Sequence, residues 1–238
     1  MSTKKMLVIG AHSADFVWRA AGTIAVHTST GGSATIISLS YGERGESGEL
    51  WKTPNQTEEN VKAIRQAEAE KAARAIGAEF SCLDLGDYPL VIDDHVIYKI
   101  RDVIREIEPN IILTHPALDP FNPDHPVAHE AVRRARLLTT GSGVASAFDT
   151  IAPAEFLVFE PHQPDLCDFV PTTFVDITSA MDAKQQAMEA MEAQSYLREY
   201  YRQRAEHRAN HARKFTGDAT IRFAEAFQRI TPKVVKAL

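Results

Sequence analysis

The chain has 238 residues, 44% of them hydrophobic, and a formal net charge of -6. That size suits one α/β domain with a substantial core, and the acidic balance argues against a nucleic-acid partner. No apolar run approaches the roughly 18 residues of a membrane span, and Cys82 and Cys167 lie outside any CxxC, which fits a reducing compartment. The N-terminal MSTKK leads into a strand without a signal-like apolar stretch, so a cytoplasmic location is expected.

Met6 to Gly10 is a continuous apolar run, the pattern of a buried parallel strand. A polar break, Ala11 to Asp15, separates it from a helix over Phe16 to Thr28. Gly31-Gly32 turns the chain into a second strand, Ser33 to Ser40. The polar loop Tyr41 to Gln56 follows, long enough to imply a function or disorder. A helix is predicted over Thr57 to Ile76, capped by Thr57 and stopped by Gly77.

A third strand is predicted over Glu79 to Leu85, a turn at Gly86 to Pro89, and an amphipathic helix over Asp93 to Glu108. Asn110 to His115 is a fourth strand, followed by the irregular loop PALDPFNPDHP and a helix to about Leu138. Strands follow at Glu155 to Glu160 and Thr173 to Ile177. The tail is expected to be helical, from Ser179 to Lys214 and again from Ala219 to Gln228. Alternating strands and helices predict a Rossmann-like three-layer sandwich with a mainly parallel sheet and a helical C-terminal tail, as a single domain over residues 1–238.

Ligands in such sheets bind beyond the carboxyl ends of the strands. His12 and Asp15 collect there after the first strand, Tyr41, Glu43, Arg44, Glu46 and Glu49 after the second, His115, Asp119, Asn122, Asp124, His125 and His129 after the fourth, and His162 after the fifth. His12, Asp15 and His125 would make a nitrogen, nitrogen and oxygen donor set that leaves a coordination position for water, as in catalytic zinc sites. Ferrous iron, cobalt and manganese take the same donors. Each piece has an ordinary alternative. His-x-x-Asp after a strand also reads as a helix cap with a solvated histidine, Asp124 as a plain first-turn acid, and His129 as a packing residue or a further ligand. The loop glutamates also fit a solvated surface. Convergence on one sheet edge favours the site.

At these residues the chain resembles the PIG-L/LmbE family of metal-dependent de-N-acetylases. The family's Ala-His-Pro-Asp-Asp-Glu corresponds to Ala11-His12-Ser13-Ala14-Asp15-Phe16, and its His-Pro-Asp-His to Asn122-Pro123-Asp124-His125. Arg65 and Glu68 match an Arg-x-x-Glu, Gly77-Ala78 a following pair, and Gly42-Glu43-Arg44-Gly45 a glycine loop. The match runs in register over the N-terminal two thirds. It implies His12, Asp15 and His125 as metal ligands and Arg65 as a substrate contact.

Two departures carry weight. The family's general base is replaced by Ala14, and the histidine that handles the tetrahedral intermediate by Asn122, which cannot shuttle a proton near neutrality. The octapeptide Ala11 to Trp18 is similar to that of a subgroup that hydrates 4-oxalomesaconate (4-carboxy-2-hydroxymuconate) in gallate and protocatechuate degradation. The resemblance implies Glu46 as base, with Glu43 structural. His162 is the expected acid, with a plain turn residue between Pro161 and Pro164 as the alternative. A tricarboxylate substrate calls for cations, expected at Arg44 and Arg65, with Tyr41, Asn122 and Ser13 as further contacts. The product would be 4-carboxy-4-hydroxy-2-oxoadipate, the metal Zn²⁺, and the assembly a homo-oligomer. Two other readings stay open: a zinc-dependent de-N-acetylase of an amino-sugar conjugate, and a non-catalytic metal-binding relative.

Overall fold

The computed structural model describes residues 4–235. Seven strands form one sheet: β1 (Lys5–Gly10), β2 (Ser33–Ser38), β3 (Glu79–Cys82), β4 (Ile111–Thr114), β5 (Glu155–Phe159), β6 (Thr173–Asp176) and β7 (Ala224–Arg229). Their order is β3-β2-β1-β4-β5-β7-β6. The first five are parallel neighbours, and β7 runs antiparallel between β5 and β6.

Alternation along β1 builds the layers. Met6 and Val8 pack with α1 (Asp15–Ser29), α2 (Glu58–Ala75), α5 (Met181–Ala190) and α6 (Arg198–Thr216). Leu7 and Ile9 pack on the other face with α3 (Asp94–Ile107) and α4 (Asp124–Leu138). The predicted cap forms, the Thr57 side chain accepting from the Asn60 N–H, and α3 is capped in the same way, the Asp93 side chain accepting from the Val96 N–H. No helix among the described residues is long and apolar enough to cross a membrane.

The tail departs from the expected pattern in two places. The segment predicted as a helix over Ala219 to Gln228 instead runs into β7, which covers Ala224–Arg229. Its Ala-Glu-Ala-Phe-Gln-Arg composition favours a helix only weakly over so few residues. Pairing along both edges and burial of Ala224, Ala226 and Phe227 decide the outcome. Buried Glu225 accepts from the Gly22 and Thr23 amides of α1 and from Lys184 Nζ. The second departure is a break in the long tail helix. A 3₁₀ segment, Glu192–Leu197, separates α5 from α6, and Gln194 takes non-helical angles there.

Candidate metal centre and its cavity

The chain leaves β1 at Gly10 and immediately folds back. A Cβ at Gly10 would lie 2.9 Å from the Asp15 Cβ, so glycine lets the carboxylate tuck under the strand end. Asp15 Oδ2 accepts from the His12 backbone N–H at 2.8 Å and lies 2.9 Å from His115 Nε2. Its Oδ1 takes Arg19 Nη1 at 2.5 Å. Burial opposes the charged form of Asp15, but His115, Arg19 and His125 hold its carboxyl well below the ordinary range.

His12 is buried, and its Nε2 lies 3.1 Å from Asp124 Oδ2. Asp124 is itself fixed by the Tyr88 and Leu90 amides, at 3.0 and 2.8 Å. His125 Nδ1 lies 2.8 Å from Asp119 Oδ2. Each histidine therefore spends one ring nitrogen on a carboxylate, the arrangement that orients metal-binding imidazoles. The other nitrogens, His12 Nδ1 and His125 Nε2, are buried without a hydrogen-bond partner. Each lies 3.7 Å from an Asp15 carboxylate oxygen, and the three residues offer ligand atoms all within 4.8 Å of one another. Orphaned buried imidazole nitrogens are costly, and a cation between them removes the cost. This donor set fits a divalent metal.

Charge follows the same logic. Burial lowers the His12 pKa, but the Asp124 hydrogen bond and the charges of Asp15 and Glu46 outweigh it and raise the value to about 9. His125 is held well below its ordinary value by burial first, aided by His115. The His115 ring stacks on His125, centroids 3.9 Å apart. His129 points elsewhere: its Nδ1 lies 2.7 Å from the His115 carbonyl oxygen, beside Phe156, as a packing residue.

The triad opens into a cavity of about 230 Å³, lined also by Ala14, Trp18, Arg19, Glu46, Asn122 and His162, with Gln194 and Tyr201 from the tail. Of the three loop glutamates only Glu46 reaches it. Glu43 is fully buried and takes the Tyr41 amide, while exposed Glu49 pairs with Lys52. Gly42, at φ +71, makes the turn, and a Cβ there would crowd Glu46 and His12 at 3.0 and 3.1 Å. Asn122 Nδ2 donates to Glu46 Oε1 at 2.7 Å and Gln194 Nε2 to Oε2 at 3.0 Å. The Gln194 carbonyl oxygen accepts from Arg65 Nη2 and Trp18 Nε1, which fixes which way its amide faces.

His162 also lines the cavity, stacked on Tyr200 at 4.3 Å, with Nδ1 3.4 Å from the Tyr201 hydroxyl. Burial first, then Arg19 and Arg204, lower its pKa. The expected substrate contacts are divided. Asn122 lines the cavity, but Arg44, Arg65 and Tyr41 do not. Arg44 is exposed on Glu58, and Arg65 is fully buried against Glu68, Gln194 and the Tyr41 carbonyl. The Tyr41 ring reaches Gln66 instead, and Ser13 Oγ donates to the Tyr41 carbonyl.

The family model for GlcNAc-PI de-N-acetylase, PIG-L, matches residues 7–136. The chain belongs to the PIG-L family. It is 40% identical to a 4-oxalmesaconate hydratase of Pseudomonas putida over 99% of this chain and 92% of that protein. The crystal structure of GalB, the 4-carboxy-2-hydroxymuconate hydratase of Pseudomonas putida KT2440, superposes with a TM-score of 0.96, covering 99% of this chain and 100% of that one. A Rhodococcus erythropolis deacetylase of 1D-myo-inositol 2-acetamido-2-deoxy-alpha-D-glucopyranoside is 26% identical over 79% of this chain and 80% of its own.

Sequence reasoning missed Arg19 and Gln194. Arg19 had a signal: it stands one helical turn beyond Asp15 and shares its face. Gln194 had none, lying in a run of Ala, Glu and Gln.

Proposed function

We propose that the chain is a metal-dependent hydratase that adds water to the conjugated double bond of 4-oxalomesaconate, giving 4-carboxy-4-hydroxy-2-oxoadipate in gallate and protocatechuate degradation. The observation that carries this reading is the transfer of the carboxylate. Position 14, where an amide-cleaving relative needs its base, is an alanine on the cavity wall. The carboxylate facing the ligand triad is Glu46 instead, pinned by Asn122 and Gln194. The 40% identity to a hydratase over nearly the whole chain supports it.

His12, Asp15 and His125 would hold the metal, Zn²⁺ in this reading. When bound, it supplies a Lewis acid that acidifies water and polarises the substrate. Glu46 accepts the proton of the attacking water, its carboxylate held in place on the cavity lining by the Asn122 and Gln194 amides. His162, on the same cavity lining, delivers a proton to the substrate carbon or enolate. Its depressed pKa belongs to the ligand-free protein; incoming substrate carboxylates raise it toward the donor form. Trp18, stacked on Tyr201 at 5.6 Å, walls the cavity against solvent. The same reading places the protein in the cytoplasm as a homo-oligomer, which sedimentation velocity would test.

The deciding assay follows the absorbance of the conjugated substrate. Zn²⁺-loaded protein is expected to bleach it, and an unchanged spectrum sinks the reading. Release of acetate from N-acetylglucosaminyl compounds would instead support a deacetylase. Ala14→Asp is expected to slow hydration, because a second carboxylate beside the triad repels an anionic substrate, without creating a good deacetylase. Hydration at the parent rate would refute this account of the alanine.

A further inference from the structure

A tricarboxylate substrate demands a cation in the cavity, and the two arginines expected from the sequence are elsewhere. The lining contains three acids, Asp15, Glu46 and Asp119, and Arg19 is its only lysine or arginine among the described residues. The Arg19 side chain is 8% exposed. Its Nη1 holds Asp15 Oδ1, while its Nε is buried without a hydrogen-bond partner. A guanidinium presents five N–H groups in a planar fork, so holding one carboxylate oxygen leaves most of it unused. A wider groove of about 590 Å³ beyond His162 contains Arg204 and Arg208, but Glu160 already takes both. It offers no comparable free cation.

We propose that Arg19 grips one carboxylate of the substrate through the part of its fork that Asp15 does not use, and so selects polyanionic substrates over neutral ones. The inference takes its substrate from the hydratase reading. Its physical content is independent: a two-pronged guanidinium–carboxylate contact is strong when sheltered from water. Arg19 is one helical turn from Asp15, so the gripped carboxylate lies beside the metal ligands. The double bond is then brought between that point and Glu46. Ala14 leaves room for the anion on the same wall.

The test uses Zn²⁺-loaded protein and calorimetric titration with tricarballylate, a saturated tricarboxylate that cannot be hydrated. The parent protein is expected to bind it in preference to its trimethyl ester; no binding, or equal binding, overturns the inference. Arg19→Gln is expected to weaken tricarballylate binding and raise KM for 4-oxalomesaconate, each by roughly 10- to 100-fold, with zinc content unchanged. Arg19→Lys, which keeps a cation, is expected to recover part of both. Unchanged affinity in Arg19→Gln, or loss of zinc in both variants, would show that Arg19 serves only Asp15. Arg19-dependent binding of tricarballylate by a protein inert towards 4-oxalomesaconate would sink the hydratase reading alone. Hydration with an unchanged KM in Arg19→Gln would sink the present inference alone.

Discussion

His12, Asp15 and His125 leave the adjacent strand ends of β1 and β4, whereas Glu46 is held across the cavity by Gln194, which lies 148 residues further along the chain. The ligand wall needs only two paired strands: the end of β1, the first turn of α1 and the start of α4 place three donors. The Glu46 wall is assembled from a long loop, a break between two tail helices, and an arginine behind them. A wall of the first kind should fail by losing its ligand. One of the second kind should fail by losing alignment while the metal stays.

The largest effect is expected on the ligand wall. His12→Ala removes one of the three donors, so zinc content should fall close to zero and turnover with it. Mass-spectrometric metal analysis of the purified variant checks this, and full retention would remove His12 from the site. Glu46→Ala should instead keep zinc near one per chain and lower kcat by about 10²–10⁴-fold, the usual worth of a placed base. His162→Ala should behave likewise. Zinc loss in either would move that residue to the other wall.

This division also explains what could be read from the sequence. The first five strands, α2 with its Thr57 cap, α3, and the His12, Asp15 and His125 cluster all rest on short-range pattern: alternation, a capping residue and donors beyond strand ends. β7 could not be read, because Ala-Glu-Ala-Phe-Gln-Arg becomes a strand only between β5 and β6. Arg65 was read as a substrate contact because arginine suits carboxylates, yet its carboxylate is the protein's own Glu68. Choosing Glu46 over Glu43 and Glu49 rested on resemblance, and what brings Glu46 alone to the cavity is the fold of the loop beneath Gly42.

Arg65 and Arg44 sharpen the contrast at a smaller scale. Arg65→Ala takes the cation from buried Glu68 and removes one of the two donors that fix the Gln194 carbonyl, so it should cost about 3–5 kcal/mol of stability. It should also lower kcat more than it raises KM. Arg44 sits on the surface beside Glu58, and Arg44→Ala should leave the melting temperature near that of the parent. Thermal denaturation and steady-state kinetics of the pair decide it. Equal effects would mean that Arg65 does not act through Gln194.

A pH dependence is expected on the ligand wall alone. In the metal-free protein Asp15 is ionised and His125 neutral, so only His12, at about 9, must release a proton to bind metal. Zinc affinity should therefore rise about tenfold per pH unit between 7 and 9 and level off above, with a slope of one. Stability of the metal-free protein should move the opposite way. A histidine pKa raised on folding contributes stability that is complete below its unfolded value of about 6.5 and is lost as pH rises through about 9. Metal-free protein should thus melt at lower temperature as pH climbs through that window, while the zinc-loaded form, whose His12 has no proton left to lose, should not. Competition titrations with a zinc indicator give the first quantity and melting curves of both forms the second. A slope of two would put a second titrating group among the ligands. Parallel melting curves would mean that the Asp124 contact does not hold a charged His12.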